Sequence, residues 1–240
     1  MKKMGKVKKI IVFVVLIIIT AALTLILNPG HEKYAVKGVD VSVYQGNIDW
    51  EVLSKEGISF AFIKATEGSN FVDEKFKTNY ENAYKTDLFI GAYHFFSYDS
   101  EGETQAENFI KTVPKLEGTL APVVDVEFYD ANQHSPHDRA HTKKILKPLL
   151  DKLEEHYGKK PIIYATPKSY YLYLAGDYKD YPIWIRNTMF NMSPLLLDFR
   201  SWTFWQYSDT HILNGYSGDE KHIDMNVFKG TKKDLENFIK

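Results

Sequence analysis

The chain has 240 residues, 44% hydrophobic and 25% charged, a composition typical of a globular protein with one sizeable core. It contains no cysteine, which excludes a disulfide framework and a thiolate metal site. Five Lys lie in residues 1–9, and the remaining 25 basic and 31 acidic residues give a net charge of −6, which argues against a nucleic-acid-binding surface.

The first thirty residues carry the pattern of a membrane-directed segment. After the Lys-rich residues 1–9, Ile10–Leu27 is a run of 18 residues that is apolar apart from two Thr. As a helix this run would be about 27 Å long, close to the hydrocarbon thickness of a bilayer. Because Lys-rich flanks stay in the cytoplasm, we expect the rest of the chain to be exported.

A cleaved signal peptide would have an apolar region of about 7–15 residues and a small-residue cleavage site. The run here is longer, and Leu25–Pro29 offers no such site, which favours an uncleaved signal anchor. The predicted organisation is a cytoplasmic basic segment (1–9), a single-pass transmembrane anchor (10–27), a tether (28–36) and an extracellular domain (37–240). Secretion after cleavage is the alternative.

Eight short apolar runs bounded by turn residues predict β-strands in the exported part. They are Lys37–Ser42, Ser59–Glu67, Phe89–Phe96, Ala121–Phe128, Lys160–Thr166, Tyr181–Asn187, Ser201–Ser208 and His222–Phe228. Several runs are apolar on both faces, which is typical of a parallel sheet covered by helices.

Helical spacing of apolar residues follows the early strands, at Asp73–Asp87, Glu101–Val113 and His137–Tyr157, and a shorter helix begins at Asp49. The last three connections have only 13 or 14 residues and are interrupted by Pro, Gly and Asn. They leave little room for full helices. We therefore predict an α/β fold, a TIM-type barrel of eight strands whose second half is short of helices. An open doubly wound sheet is the alternative.

A pair of carboxylates marks the fourth predicted strand. Asp125 and Glu127 are two residues apart, so both side chains leave the same face of the strand. Two like charges on a buried face resist joint ionisation, so one of the pair should have a raised pKa. A glycosidase needs this combination of one protonated acid and one ionised partner. The alternative is that the pair faces solvent or is neutralised by Lys64.

Further acids lie near the ends of other strands, at Asp40, Glu67 and Asp224. Each alone is more typical of a structural residue, but in β/α barrels the carboxyl ends of the strands carry the active site. Together with the pair they predict an electronegative cleft. His94 is either a site residue or a buried core histidine. The eight His show no HExxH-like spacing, so we predict no metal site and no cofactor.

Seven stretches in order resemble the lysozymes, or N-acetylmuramidases, of glycoside hydrolase family 25, over roughly Lys37 to Phe228. They are Gly-Val-Asp-Val-Ser (38–42), Asn-Ile-Asp-Trp (47–50), Phe-Ile-Lys-Ala-Thr-Glu-Gly (62–68), Gly-Ala-Tyr-His-Phe (91–95), Val-Asp-Val-Glu (124–127), Phe-Trp-Gln-Tyr-Ser (204–208) and Ile-Asp-Met-Asn-Val-Phe (223–228).

The resemblance implies a modified barrel of five βα units followed by three strands, written (β/α)5(β)3. It implies hydrolysis, with net retention, of the β-1,4 bond between N-acetylmuramic acid and N-acetylglucosamine. By similarity, Glu127 would protonate the leaving oxygen. Asp125 would stabilise the substrate acetamido group or attack directly, and the residues leave this choice open. Asp40 and Asp224 would complete the acidic cleft. The residues expected to line the sugar subsites are Tyr93, Tyr164, Trp184 and Gln206.

One stretch departs from the family pattern. After Pro182–Ile185 the family would have a small residue and soon a Tyr, whereas this chain reads Arg-Asn-Thr-Met-Phe (186–190). We expect altered subsite contacts there. The expected partners are peptidoglycan strands and the membrane, and we expect a monomer that acts in cell-wall remodelling or lysis. The alternatives are a non-catalytic glycan-binding protein and a hydrolase of another acetamido-sugar polymer such as chitin.

Overall fold

A computed structural model of the chain describes residues 5–27, 30–129 and 134–240. Residues 1–4 of the predicted basic segment and 28–29 of the predicted tether lie outside the described residues. Helix α1 spans Lys6–Leu27, and the large apolar side chains from Ile10 to Ile19 are 46–65% exposed. Over the described ranges, no helix is both long enough and apolar enough to cross a membrane.

Nine strands form one sheet within the described residues. Their bounds are β1 (Lys37–Val41), β2 (Ile58–Glu67), β3 (Phe71–Val72), β4 (Phe89–Phe95), β5 (Val123–Val126), β6 (Ile162–Ala165), β7 (Ile183–Arg186), β8 (Phe204–His211) and β9 (Ile223–Phe228). The order is β1-β9-β8-β7-β6-β5-β4-β2-β3, and an additional β1–β2 pairing closes the sheet into a barrel. Eight of the strands correspond to the eight predicted runs, and β3 is a short addition to the end of β2. Closure shows that the open-sheet alternative is wrong.

Helices follow the first five barrel strands and then disappear from the connections. They are α2 (Trp50–Lys55), α3 (Phe76–Ala83), α4 (Gly102–Thr112), α5 (Arg139–Tyr157) and the short α6 (Pro167–Ser169), which continues as a π-helical turn over Tyr170–Leu174. The predicted barrel with a helix-poor second half is therefore confirmed. A last helix, α7 (Lys232–Ile239), was not predicted.

The change in connections changes the direction of the last strand. The barrel strands from β1 to β8 pair in parallel, because the intervening segments are long enough to return to the starting edge. Strand β9 instead pairs antiparallel with both β8 and β1. The beginning of β9 therefore lies at the barrel end where the parallel strands finish.

The longest barrel-covering helix shows how local sequence sets these elements. Asp138 caps the start of α5 by accepting a hydrogen bond from the backbone N–H of His141 at 2.8 Å. Gly158 ends the helix in a left-handed conformation, with φ of 71°. Between them, apolar residues at helical spacing are buried against the outer face of the barrel, among them Leu146 and Leu149.

The barrel interior has an apolar floor. Phe60, Phe62 and Phe204 form a cluster of edge-on rings, with centroids 5.2–5.7 Å apart. Leu235 and Ile239 of α7 join the same buried cluster, so the terminal helix closes this end of the barrel. The polar inward side chains are thereby confined to the opposite end.

Glycine is required on two inward positions of the barrel wall. A methyl group on Gly38 would overlap the ring of Phe60, and one on Gly91 would lie 2.9 Å from the ring of Phe62. Both rings are fully buried and cannot move aside without disturbing the floor.

We expect Gly38→Ala to lower the free energy of unfolding by about 1–3 kcal/mol, because the added methyl group overpacks the floor. Urea denaturation of the single variant, of Phe60→Leu and of the double variant measures the effect. The smaller side chain should relieve part of the cost of the methyl group. Strictly additive free energies in the double variant would contradict the steric explanation.

Candidate active site

A cleft of about 430 Å³ opens at the barrel end where the parallel strands finish. Eight of the ten predicted site residues line it: Asp40, Tyr93, Asp125, Glu127, Tyr164, Trp184, Gln206 and Asp224. Asp224 reaches this end because β9 runs antiparallel and begins here. Glu67 and His94 are not among the described residues that line the cleft.

The carboxylate pair lies in one wall of the cleft. Asp125 is in β5, and Glu127 follows the strand directly. Val124 and Val126 alternate with them and are buried in the outer core, between the barrel and its helices. The two acids therefore share the inner face that the period of the strand predicts.

Both acids of the pair hold protons more tightly than they would in water. Burial, and then the nearby charge of Glu127, raise the pKa of Asp125 well above its ordinary value. Burial also raises the pKa of Glu127, while the positive charges of Arg186 and Lys64 oppose the increase. The Oδ1 atom of Asp125 is buried, and no donor among the described residues reaches it. The wall thus combines proton-holding acids with an acceptor that a ligand can use.

A second pair of acids, Asp40 and Asp224, lies opposite in register on β1 and β9. The side-chain amide of Gln206 donates to both carboxylates, at 3.0 Å to Asp40 Oδ2 and 3.1 Å to Asp224 Oδ2. Asn226 donates a further hydrogen bond of 2.7 Å to Asp40. Donors thus converge mainly on Asp40.

Two aromatic residues fix the direction of these amides. The indole Nε1–H of Trp184 can only donate, and it donates to Asn226 Oδ1 at 2.7 Å, so the Asn226 NH₂ group must face Asp40. The hydroxyl of Tyr164 lies 2.9 Å from Gln206 Oε1 and donates to it, which turns the Gln206 NH₂ group toward the acids. Both rings are almost fully buried. The main role of Tyr164 and Trp184 in the site is therefore to orient the side-chain amides of Gln206 and Asn226.

This arrangement separates the charge states of the second pair. Burial and the charge of Asp40 raise the pKa of Asp224 to about 9. Burial raises the pKa of Asp40 as well, but its hydrogen bonds from Asn226, Gln206 and Asp224 act in the opposite direction. At neutral pH we therefore assign the negative charge to Asp40 and the proton to Asp224.

Glu67 is held in an ion pair. Its carboxylate accepts a hydrogen bond of 2.8 Å from Lys64 Nζ, and its side chain is 43% exposed. Lys64 itself lines the cleft, with its ammonium 4.8 Å from the centroid of the Phe95 ring. The cation considered as a neutraliser of Asp125 and Glu127 thus has Glu67 as its direct partner. The charge of Lys64 therefore lowers the pKa values of Asp125 and Glu127 by electrostatic attraction at a distance.

His94 occupies a core position behind the cleft wall. It is fully buried, with its ring nitrogens 2.7 Å from Thr66 Oγ1 and 2.9 Å from Gln105 Oε1. Burial lowers its pKa to about 4. These contacts fit the satisfied core histidine rather than a residue that touches a ligand.

Three functional neighbours were missed by the sequence reasoning. Asn226 is two residues after Asp224, so the alternation that found Asp125 and Glu127 would also have found it. Arg186, the last residue of β7, forms an ion pair with Asp209 in the second half of β8, with an Nη2–Oδ2 distance of 2.5 Å. Arg186 is the first residue of the stretch that departs from the family pattern. That departure therefore places a cation beside the acids.

The raised pKa of Asp224 predicts that stability falls as pH rises. The unfolded chain releases this proton near the ordinary pKa of 3.8, whereas the folded chain keeps it to about 9. Between these values the folded state binds more protons, so raising the pH favours unfolding. The free energy of unfolding of the unsubstituted chain should therefore fall between about pH 5 and pH 8. Asp224→Asn stays neutral, so we expect its free energy of unfolding to fall by less over the same range, with a difference of at least about 1 kcal/mol.

Urea denaturation at both pH values measures this difference, with Asp219→Asn as a matched variant of an exposed acid on the preceding loop. Equal pH dependence in Asp224→Asn and the unsubstituted chain would contradict the assignment of the proton to Asp224.

Comparison with known proteins agrees with this geometry. The family model of glycosyl hydrolases family 25 matches residues 39–216. The uncharacterized protein YegX of Escherichia coli K12 is 36% identical over 212 residues, which cover 86% of this chain and 74% of that protein. Lysozyme M1 of Streptomyces globisporus is 32% identical over 211 residues, covering 82% of this chain and 68% of that protein.

Solved structures show the same likeness in three dimensions. A family 25 glycosyl hydrolase from Bacillus anthracis matches with a TM-score of 0.83 and 51% identity, covering 89% of this chain and 97% of that chain. The bacterial lysozyme from Streptomyces coelicolor matches with a TM-score of 0.76 and 30% identity, covering 85% and 97%. With its closed barrel and its acid-lined cleft, this chain belongs to glycosyl hydrolases family 25.

Proposed function

We propose that the protein is a peptidoglycan hydrolase that cleaves the β-1,4 bond between N-acetylmuramic acid and N-acetylglucosamine, in cell-wall remodelling or lysis. The observation that carries the proposal is the pair Asp125 and Glu127, buried together in the cleft wall with raised pKa values. Family membership and the lysozymes among the relatives support the choice of substrate.

Glu127 is the general acid of the proposed reaction. It is only half-buried and lines the open cleft, whereas Asp125 is 8% exposed. A carboxylic acid with a raised pKa can retain its proton until the substrate arrives and then give it to the leaving glycosidic oxygen. The resulting carboxylate can take a proton from water in the second step.

Asp125 is the residue that holds the acetamido group of the substrate. Its Oδ1, which has no donor among the described residues, accepts the acetamido N–H. The acetamido oxygen then attacks the anomeric carbon as the bond to the leaving oxygen breaks. Water attacks the same carbon in the second step and restores the acetamido group. Two inversions give net retention.

The other cleft residues of the proposal have three roles. The anion on Asp40, held by Asn226 and Gln206, stabilises the positive charge that develops on the sugar ring. Tyr93 and Phe95 are half-buried on the cleft wall and offer ring faces to the sugars. Tyr164 and Trp184 act mainly by orienting the amides, since both are nearly inaccessible.

We expect Glu127→Gln to lower turnover of purified peptidoglycan by about 10²–10⁴-fold, because the amide cannot supply the proton. Asp125→Asn should also be severe. The full chain in detergent micelles is incubated with peptidoglycan, and the products are reduced with borohydride and identified by mass spectrometry. Products with reduced N-acetylmuramic acid at the end indicate muramidase activity.

The matched control is Glu117→Gln, which removes an exposed carboxylate at the opposite end of the barrel from the cleft. It should keep most of the activity. Near-normal turnover by Glu127→Gln would contradict the role of Glu127 as general acid. Binding without products from the unsubstituted chain would favour the non-catalytic alternative, and turnover of chitin alone would favour the other acetamido-sugar polymer.

We further propose that residues 10–27 anchor the chain in the cell membrane, with the barrel outside. The support is the 18-residue apolar run behind five Lys and the exposure of the large apolar side chains from Ile10 to Ile19 in α1. An anchor of this kind raises the local concentration of the enzyme beside its insoluble substrate.

We expect the full chain to stay with bacterial membranes through an alkaline carbonate wash. Val14→Asp combined with Ile18→Asp should release it, because each acid within the hydrocarbon costs about 2.5–3.5 kcal/mol. Val14→Ala with Ile18→Ala is the matched control and should remain bound. Recovery of the unsubstituted chain in the wash would argue against the anchor.

A further inference from the structure

The loop between β7 and β8 carries an uncovered apolar surface. Five large apolar side chains are exposed within eleven residues of this loop: Met189 (80%), Phe190 (64%), Leu195 (63%), Leu197 (71%) and Phe199 (94%). Single exposed apolar residues are ordinary, but a concentration of this kind marks an interaction site. We call these five residues the apolar loop.

The conformation of the apolar loop is specified by contacts with the rest of the barrel. Leu196 is buried, and the backbone N–H of Leu197 donates to the hydroxyl of Tyr171 at 2.9 Å. The hydroxyl of Tyr170 donates to Asp198 at 2.8 Å. Phe199 has a φ of 59°, a conformation that is costly for a bulky side chain. The fold thus holds the most exposed aromatic ring outward at a cost.

The segment that follows α1 is attached to this same loop. The side-chain amide of Asn191, between Phe190 and Leu195, accepts a hydrogen bond of 3.0 Å from the backbone N–H of His31 and donates one of 2.6 Å to Glu32. The His31 ring stacks on Tyr207 with centroids 3.9 Å apart. The chain leaving the apolar helix is therefore fixed beside the apolar loop.

The short connection between α1 and Gly30 keeps the end of α1 near the apolar loop. A methyl group on Gly30 would lie 2.9 Å from the Asn191 side chain, so Gly30 rests against the loop. Helix α1 ends at Leu27, three residues earlier. Three residues span at most about 11 Å, so the end of the apolar helix lies near the apolar loop in any arrangement of residues 28–29.

We infer that the apolar loop rests on the outer surface of the lipid bilayer and places its side chains among the headgroups. The inference depends on the proposed membrane anchor. A bilayer fits because the loop lies where the anchor would emerge. Within residues 187–201 the charged residues are Asp198 and Arg200 alone, and Asp198 is engaged by Tyr170. Exposed Phe, Leu and Met with few charges suit the boundary between headgroups and acyl chains.

This contact would orient the enzyme. The loop follows β7 at the barrel end that carries the cleft. A two-point attachment, through the anchor and through the loop, therefore turns the cleft rim toward the membrane. The glycan strands presented to it are those next to the bilayer.

Site-specific fluorescent labels test the contact, because the chain has no native cysteine. The full chain carrying Phe199→Cys or Phe190→Cys is labelled with an environment-sensitive fluorophore. It is then reconstituted in phosphatidylglycerol–phosphatidylethanolamine vesicles that contain a lipid with a shallow nitroxide quencher. Glu117→Cys, exposed at the opposite end of the barrel before β5, is the matched control. We expect several-fold stronger quenching from the two loop positions than from the control.

A second variant guards against insertion caused by the label. With Phe199→Cys as the labelled site, Met189→Ser and Leu197→Ser should reduce the quenching, since the neighbours share the contact. Equal quenching at the loop and control positions, in chains that float with the vesicles, would overturn the inference and leave the anchor intact. Chains that do not float would overturn the anchor and the inference together.

Discussion

Four carboxylic acids share one poorly solvated end of the barrel, and the site depends on how their charges are kept apart. In a medium of low dielectric constant, neighbouring carboxylates cannot all ionise, so each must hold a proton or receive donors. Asp40 receives donors from Gln206 and Asn226. Asp224 keeps its proton. The other pair keeps raised pKa values with cations at some distance, which leaves it ready for proton transfer.

The topology of the sheet makes this arrangement possible. Asp40, Gln206 and Asn226 come from strands that are neighbours only because β9 enters between β8 and β1 and closes the barrel. An antiparallel β9 also brings the start of one strand to the carboxyl ends of the others, which sets Asp224 opposite Asp40. The apolar floor built by Phe60, Phe204 and α7 supplies burial that offsets the unfavourable desolvation above it.

Periodicity in the sequence was sufficient for the eight barrel strands and for helices α2 to α5, and for the carboxylate pair of the site. Alternation along β5 placed Asp125 and Glu127 on one face, and helical spacing located the covering helices. Alternation in the sequence does not reveal where a strand departs from regular pairing with its neighbour. Strand β2 is irregular between Lys64 and Thr66, which sets Thr66 beside His94 on the outer side. Alternation along β4 does place His94 there, because Tyr93 and Phe95 on either side of it line the cleft. Alternation did not reveal that the Glu67 carboxylate is held in an ion pair with Lys64.

Side-chain direction within a network was also beyond the sequence. Tyr164 and Trp184 were expected to contact sugars, but their polar atoms are committed to Gln206 and Asn226. Such commitments arise from residues 42 positions apart that meet only in the closed barrel. Helix α7 is different, because its own sequence carries a Thr231–Asp234 cap and an apolar face with Leu235 and Ile239. Only its contact with the floor depends on distant strands.

The stretch that departs from the family pattern joins the chemistry of the cleft to the position of the enzyme. It begins with Arg186, whose charge lowers the proton affinity of Glu127, and it leads into the loop where Asn191 holds His31 and Glu32. The connection after β7 thus begins with a cation near the acids, and five residues later Asn191 holds the N-terminal segment. A full helix after β7 would cover the outer face of the barrel and leave no such platform at the cleft end. The shortage of helices in the second half of the barrel therefore leaves the rim beside the acids uncovered, which is what the proposed membrane contact requires.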